Sequence, residues 1–341
     1  MASGEANIKL RPATYQLAEV EVVGYTPQEV IRQAVTHIPV NYGKDSVILT
    51  AFVRVQKMYQ NRLVEFTEAI VSDLKDGYYH YPRAKLEEKS NKSNVPDLLK
   101  GRVISDTSIV NALDEAGKDA RCLGCYFIED LVEFYPHTVL DEHEFRYYQY
   151  AMEELNHPEM GKIFHITFDQ RDGIKETLWQ GELFIESSSF AILSIMVKPS
   201  LKGFETFEKR KALRTYTIKG KPFWIKEMPL GQTTVTYTKQ GEYWRLGTIR
   251  NNYRITYTYP PTGERLVTGY ISEVVVTDEI RDPMLIRHFA GSKTIGVGQR
   301  WDQVVGETDE NFWQGFNYLP IEEQLQKEIS RMHEFRNARM Q

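Results

Sequence analysis

Two cysteines, Cys122 and Cys125, stand close together in the run C-L-G-C, a spacing that can serve redox chemistry or metal binding. A redox pair would open a helix in a thioredoxin-like unit, and a structural zinc would need two further ligands at suitable spacing. Neither context surrounds them. A reduced pair and a local disulfide in an oxidising compartment therefore remain open, and the disulfide is the preferred interpretation.

The eight histidines never form H-E-x-x-H or a comparable pair of metal ligands. His137 and His143 lie near Asp141, Glu142 and Glu144, and this group could in principle hold a metal weakly. A solvated acidic loop is the better explanation. The sequence therefore predicts no metal site and no other cofactor.

Signatures of nucleophilic catalysis and phosphate binding are missing from the sequence. No G-x-S-x-G elbow or phosphate loop occurs, and the G-V-G at 296–298 lacks the further glycine of a dinucleotide fingerprint. The serines at 187–189 fall between two predicted strands, where a hydroxyl-rich hairpin loop needs no catalytic explanation. We therefore predict a protein that is not an enzyme and has no catalytic residues. A hydrolase whose site is assembled from distant residues is the least favoured alternative.

An aromatic cluster near the end of the chain could line a ligand groove or contact a partner. The alternative, which we prefer, is that it packs the last helix onto a sheet. As the candidate ligand- or partner-binding residues, its members are Trp301, Phe312, Trp313, Phe316 and Tyr318.

Composition limits the classes of function. The chain has 341 residues, 41% of them hydrophobic, which is enough for one large core or two modest ones. The net charge of −5 disfavours general nucleic-acid binding, because that needs clustered Lys and Arg. No apolar run approaches the roughly 20 residues that span a bilayer, and the first ten residues lack the apolar core of a signal peptide. We therefore expect no transmembrane segment and no nucleic-acid partner.

Local sequence patterns predict several helices and strands. Residues 26–29 (T-P-Q-E) form a capping box, and the apolar stripe that follows predicts a helix that Pro39 ends. Residues 60–62 read as the turn of a hairpin, and the polar run 78–102 reads as an exposed loop. From Gly161 onward apolar residues alternate over several strands, which indicates an antiparallel meander. A last helix is predicted from Pro320.

These elements predict a mainly β (α+β) fold. We expect a curved antiparallel sheet, or half-open β-barrel, covered by helices, with a partly helical insertion at about 78–157. Residues 25–341 would form this half-barrel-like domain.

The opening run IKLRPATYQLAEVEVVGY resembles the final strands of a carboxypeptidase-like regulatory domain, a small β-sandwich found in Bacteroidetes envelope proteins. Leu17, Glu19, Val20 and Val22 match its exit strand, "L-x-E-V-x-V". The resemblance implies that residues 1–24 are the last strands of a truncated sandwich. It also implies that a signal peptide preceded them. The name describes a domain and implies no peptidase activity.

The rest of the chain resembles the region after that domain in Bacteroidetes proteins that contain it. The matching stretches include TPQEVIRQAVTHIPVNY, LLKGRVISD and FWQGFNYLPIEEQL. The run GELFIESSSFAILSI is also similar to a hairpin of periplasmic lipoprotein carriers, whose half-open barrel shelters acyl chains. These resemblances imply a cell-envelope setting, in the periplasm or at the periplasmic face of the outer membrane.

We therefore predict a non-catalytic cell-envelope binding or interaction protein that faces the periplasm, with outer-membrane or periplasmic proteins as partners. The alternative is a carrier of a lipid or other apolar ligand. A carrier should leave apolar inner side chains uncovered. An interaction module should have a filled barrel and an exposed aromatic patch.

Overall fold

A computed structural model describes residues 24–75, 77–78, 97–106, 109, 130–133, 138–203, 215–218, 220–225, 227, 230–289, 301–305, 308–316 and 318–340. The predicted strands at 1–24 lie outside the described residues, apart from residue 24 itself. Cys122, Cys125 and His137 also lie outside them.

Twelve strands and five α-helices make up the described chain. The strands are β1 (Val47–Tyr59), β2 (Arg62–Lys75), β3 (Asp97–Ser105), β4 (Tyr148–His157), β5 (Gly161–Gln170), β6 (Trp179–Glu186), β7 (Ile192–Pro199), β8 (Thr215–Ile218), β9 (Lys221–Ile225), β10 (Leu230–Gln240), β11 (Tyr243–Tyr259) and β12 (Glu264–Ile280). The helices are α1 (Pro27–Tyr42), α2 (Pro283–Phe289), α3 (Trp301–Val304), α4 (Glu310–Gly315) and α5 (Glu323–Met340). Short 3-10 turns occupy Glu142–Tyr147 and Leu201–Gly203.

All twelve strands belong to one antiparallel sheet. Its main path runs β3-β2-β1-β12-β11-β10-β7-β6-β5-β4, and the β8–β9 hairpin is attached through β11. The sheet is curved. Because β3 and β4 at the two ends of the path do not pair with each other, the sheet is also unclosed. This arrangement confirms the predicted mainly β fold with a curved antiparallel sheet.

Buried apolar side chains of neighbouring strands lie side by side on the inner face of the sheet. One row of fully buried side chains crosses seven neighbouring strands: Val53, Val274, Ile249, Val235, Ile195, Leu183 and Ile166. Because side chains two residues apart on a strand share a face, this row defines the inner face of the whole sheet. Helix α1 supplies buried residues of the same core, including Val30, Ile31 and Ala34. The main core therefore lies between α1 and the concave side of the sheet.

Helix α1 begins as predicted and ends later than predicted. The Thr26 hydroxyl accepts from the Glu29 N–H, and the Glu29 carboxylate accepts from the Thr26 N–H at 2.7 Å, which completes the capping box. The prediction that Pro39 ends the helix is wrong, because the helix continues to Tyr42. Tyr42 is fully buried and its hydroxyl donates to the Ile192 carbonyl at 2.5 Å. This tertiary contact outweighs the cost of proline inside a helix.

The hairpin predicted at 60–62 is confirmed. Gln60 and Asn61 both have positive φ, 48° and 62°, as a two-residue type I′ turn requires, and Arg62 already belongs to β2. The exposed loop predicted for 78–102 is wrong at its end, because Asp97 begins β3, which pairs with β2. Strand β3 pairs along β2 because Leu98 and Val103 pack against the inner core. The prediction of a loop considered the polarity of the whole run and overlooked these two residues.

The predicted insertion at about 78–157 contains two strands of the main sheet. Strand β3 lies at one end of the pairing order, and β4 lies at the other, where it pairs with β5 along its whole length. Within this range, most of 79–129 falls outside the described residues. The described segments 130–133 and 138–147 connect to β4 and cover part of the inner face.

A second layer covers the outer face of β2 and β3. Leu63, Phe66 and Ile104 pack there against Ile329 and Met332 of helix α5. The last helix was predicted from Pro320, and it begins at Glu323. Ile329 and Met332, together with the partly buried Ile321 just before the helix and Leu325 in its first turn, form the apolar side that meets the sheet.

Candidate functional site

A cavity of about 300 Å³ lies between the inner face of the sheet and the segment around 131–140. Its lining consists of Leu131, Thr138, Val139, Leu140, Trp179, Ile195, Val197, Thr233 and Tyr253. The first four come from the covering segment, and the others come from β6, β7, β10 and β11. Its size falls at the lower end of the range for small-molecule sites, which are concave, mostly apolar and equipped with a few polar groups.

A row of buried polar side chains runs across the inner face beside the cavity. Thr233, Asn251 and Ser272 are neighbours on β10, β11 and β12, two residues along from the fully buried apolar row. The Thr233 hydroxyl donates to Asn251 Oδ1 at 2.8 Å, and Asn251 Nδ2 donates to the Ser272 hydroxyl at 3.2 Å. Buried polar groups are tolerated when they are hydrogen-bonded to one another in this way. The inner face thus changes from apolar to polar at the edge of the cavity.

Tyr253 joins this polar row to the cavity wall. Its hydroxyl lies 2.6 Å from the Thr233 hydroxyl. Its ring lies flat against Gly231 on the neighbouring strand, where a Cβ atom would come within 2.1 Å of Tyr253 Cδ1. Glycine at 231 is therefore required for the ring to occupy this position, which in turn aims the hydroxyl at Thr233.

We expect Gly231→Ala to lower the free energy of unfolding by about 1 to 3 kcal/mol, because the new methyl group overlaps the Tyr253 ring. In a Tyr253→Ala background the same change should cost little or should stabilise, since alanine is preferred to glycine within a strand. Urea unfolding of the four proteins of this double-mutant cycle measures the coupling. Equal costs in both backgrounds would show that the ring does not depend on Gly231.

A buried ionic network anchors the covering segment next to the cavity. Asp130, which precedes the lining residue Leu131, accepts from the hydroxyls of Tyr78 at 2.7 Å and Tyr237 at 2.6 Å and forms an ion pair with Lys75. Lys75 also contacts Glu133 at 2.6 Å. Burial alone would raise the pKa of Asp130, but the Lys75 ammonium and the two tyrosine donors hold it below its ordinary value. The segment is therefore fixed to β2 and β10 by charge and hydrogen bonds.

Two further ion pairs of low exposure lie among the described residues. Lys57 Nζ lies 2.6 Å from Glu65 Oε1, and Arg245 Nε lies 3.0 Å from Glu279 Oε2. No charged side chain is among the described residues that line the cavity. Among the residues the structure describes, no group of three metal-ligating side chains is brought together. What the cavity offers a ligand is apolar surface and hydroxyl groups.

The predicted aromatic cluster is divided between the two faces of the sheet. Trp301 is buried in the inner core, where Val305 of the same segment packs on Gly101 of β3. Trp313 lies on the outer face, where its Nε1–H donates to the Gly101 carbonyl at 3.4 Å and Arg102 lies 5.1 Å from its ring. The C-terminal segment therefore passes from the inner to the outer face beside β3.

The other cluster members lie on the outer side with Trp313. Phe316 and Tyr318 each lie 5.9 Å from the ring of Phe52 on β1, and Phe312 stacks on Phe316. The contacts of these residues are with β1 and β3, whereas the last helix, α5, meets the sheet through Ile329 and Met332. Tyr318 is 45% exposed. A role of these five residues in binding stays a prediction.

Sequence reasoning missed the residues of the cavity. The signal was present in the strand periodicity, because Thr233 and Asn251 occupy the same phase as the buried apolar residues of their strands. A polar residue in an apolar phase marks either a buried network or a site. Without the strand register the two residues could not be recognised as neighbours.

Comparison with known proteins adds little to this geometry. No family model matches the chain, and no curated protein matches it. One solved structure, of a DUF1329 family protein from Desulfovibrio piger, is similar over 74% of this chain and 92% of its own, with 9% identity and a TM-score of 0.27. A TM-score this low supports no inference about function. The carboxypeptidase-like name has no support from these comparisons and stays a resemblance.

Proposed function

We propose that this protein is a non-catalytic binding protein that holds a small, largely apolar ligand in the inner-face cavity. The observation that carries the proposal is the position of this cavity, which has apolar walls from two sides and one buried row of hydroxyl and amide groups at its edge. Such a combination suits a ligand with an apolar body and one polar end.

The state of the inner face supports a ligand of limited size. Helix α1 packs its buried residues Val30, Ile31 and Ala34 over the apolar row, which covers that part of the face. Open volume remains beside β6, β7, β10 and β11. A small molecule, or a short part of an acyl chain, suits this volume better than a whole diacyl lipid does.

The arrangement of ionisable groups supports a role without catalysis. Two carboxylates adjoin lining residues in the chain, Asp130 before Leu131 and Asp141 after Leu140. Asp130 is fully buried and is held by Lys75 and by the hydroxyls of Tyr78 and Tyr237, and Asp141 is buried and accepts from the His143 N–H. General acid or base catalysis needs a group that can reach a substrate. Among the described lining residues, Tyr253 is the one titratable group.

The cell-envelope setting belongs to the same proposal. It rests on the resemblance of the opening strands to envelope proteins. None of the described helices is long and apolar enough to cross a membrane. A partner protein is a second candidate, favoured by the exposed Tyr318 beside the outer aromatic cluster.

Binding can be tested with the neutral fluorescent probe N-phenyl-1-naphthylamine, alongside native mass spectrometry of the purified protein. Val197→Phe fills the cavity from β7, whereas Met196→Phe adds similar bulk one residue away on the opposite face of the same strand. We expect wild type and Met196→Phe to bind the probe, and Val197→Phe to bind it at least about tenfold more weakly.

Circular dichroism and urea unfolding of both variants show whether the fold is kept. Equal binding of the probe by wild type and by folded Val197→Phe would contradict the proposal. A stoichiometric adduct in the native mass spectrum, lost in Val197→Phe alone, would identify the natural ligand after denaturing extraction.

A further inference from the structure

We propose that the cavity is a pocket closed at one end, that a ligand enters it with its apolar end first, and that Ile195 at the closed end limits the length of that apolar part. This inference rests on the proposed function, because it concerns the ligand class of the same cavity. It follows from the burial of successive residues along the strands of the cavity wall and from the position of the polar lining groups.

The closed end of the cavity lies at the fully buried apolar row of the inner face. Ile195 belongs both to this row and to the cavity lining, and it pairs with Val235 on one side and with Leu183 on the other. Its side chain is completely shielded from solvent and lies in the same core as the buried residues of α1. Because such a core is close-packed, a ligand that reaches Ile195 cannot go deeper without displacing core side chains.

The open end lies in the opposite direction along the same strands. On β7, the fully buried Ile195 is followed on the same face by the half-buried Val197. On β6, Leu183 is fully buried, whereas Trp179, four residues away on the same face, is 38% exposed. Four residues of a strand span about 13 Å. The cavity therefore runs along the strands, from the apolar row towards Trp179.

Polar lining groups lie towards the open end of the cavity. On β10, Thr233 lies two residues from the fully buried Val235 of the apolar row. On β11, Tyr253 lies four residues from the fully buried Ile249 of the same row, and its hydroxyl contacts that of Thr233. A ligand with an apolar body and one polar end thus matches the wall when its apolar end points to Ile195.

The length of the apolar part should consequently control the affinity. Each methylene group that is transferred from water into an apolar pocket strengthens binding by about fourfold. Once the chain reaches Ile195, a further methylene group stays at the open end or displaces core side chains, so the gain stops. A shorter side chain at position 195 opens volume below the present floor, and the limit should move to longer chains.

Displacement of N-phenyl-1-naphthylamine by the straight-chain alkan-1-ols from butan-1-ol to dodecan-1-ol measures this limit. We expect the affinity of wild type to rise by about fourfold per carbon atom up to one chain length and then to stay constant or fall. In Ile195→Ala the limit should be about one to three carbon atoms longer, and in Ile195→Val about one carbon atom longer.

Ile166→Ala is a matched control for the loss of core volume. Ile166 belongs to the same fully buried row, but it lies on β5, which β6 separates from β7, and it is not among the described lining residues. The control should lose stability in urea, as Ile195→Ala does, and keep the wild-type limit. Circular dichroism shows which variants are folded. Ile195→Val removes a single methylene group and provides the test if Ile195→Ala does not fold.

The outcomes distinguish this inference from the proposed function. An unchanged limit in the folded Ile195 variants would overturn the inference and leave the binding function standing. The same holds if the affinity of wild type rises without a limit up to dodecan-1-ol, if no alcohol displaces the probe, or if Ile166→Ala extends the limit equally. If N-phenyl-1-naphthylamine does not bind to wild type, the proposed function and the inference both fail.

Discussion

Replacement of Lys75 by methionine should lower the free energy of unfolding by about 3 to 5 kcal/mol. The change leaves Asp130 and Glu133 buried together without the cation that holds them. Removing one partner of a buried ion pair is far more costly than the pair's net contribution, because the remaining charge cannot regain its hydration. Because Asp130 precedes the cavity residue Leu131, binding of N-phenyl-1-naphthylamine should weaken as well.

Urea unfolding followed by circular dichroism measures this loss. Lys327→Met is a matched control, since Lys327 pairs with Glu323 on the surface of α5 and its side chain is 65% exposed. An exposed pair of this kind contributes little, so we expect the control to differ from wild type by less than about 0.5 kcal/mol. A loss in Lys75→Met no larger than that of the control would mean that the network does not hold the segment.

Replacement of Asp73 by asparagine should remove a strong dependence of stability on pH. Burial raises the pKa of Asp73 to about 7; Lys75 lowers it, and Glu133 and Asp97 raise it further. The ordinary value is 3.8, so between about pH 4 and pH 7 the folded state binds more protons than the unfolded chain. Stability from this group is fully present below pH 4 and is lost as the pH rises to about 7. We expect the free energy of unfolding to fall by roughly 2 to 4 kcal/mol over this range because of Asp73.

Asp130 and Lys75 keep their charges in this window. The pKa of Asp130 lies below its ordinary value, and that of Lys75 lies above its own, because each stabilises the charge of the other. We therefore expect wild type to lose stability between pH 5 and pH 8 relative to Asp73→Asn, which carries a neutral side chain throughout. At pH 8 the variant should be the more stable protein.

Urea unfolding of both proteins at pH 5, 6, 7 and 8 checks the prediction through the difference between their free energies of unfolding, in which contributions common to both proteins cancel. Asp172→Asn serves as control, because the side chain of Asp172 is 87% exposed. The control should leave the pH profile of wild type unchanged. A constant difference between wild type and Asp73→Asn across this range would contradict the raised pKa.

The segment that the buried ion network holds in place also forms one wall of the cavity. The same segment that closes the half-barrel through Asp130 also supplies Leu131 and Leu140 to the cavity wall. A ligand in the cavity would contact this segment and the sheet at once. Binding should therefore raise the free energy of unfolding, and the increase should grow with the logarithm of the ligand concentration once that concentration exceeds the dissociation constant.

Local sequence determined the features whose interactions lie within a few residues. The capping box at Thr26 and the turn at Gln60 and Asn61 follow from side-chain and backbone preferences that need no other part of the chain. Alternation predicted the buried face of β5, including Phe164 and Ile166, because a strand has a period of two wherever it lies. The mainly β fold and its open, curved sheet could be predicted on this basis.

Tertiary structure decided the features that depend on strand register. The pairing of β1 with β12 places Val53 beside Val274, more than two hundred positions away, and no local pattern encodes that choice. The same holds for the continuation of α1 through Pro39 to a buried Tyr42, and for the placement of Trp301 and Trp313 on opposite faces of the sheet.

The candidate site is the clearest case of this dependence. Thr233, Asn251 and Ser272 are separated by about twenty residues each, and only the pairing of β10, β11 and β12 turns them into one hydrogen-bonded row. Asp130 likewise meets Lys75 only because the covering segment folds back onto the sheet. Sequence determined which side chains could be buried, whereas long-range pairing decided which of them meet, because hydrogen bonds and ion pairs act only over a few ångströms.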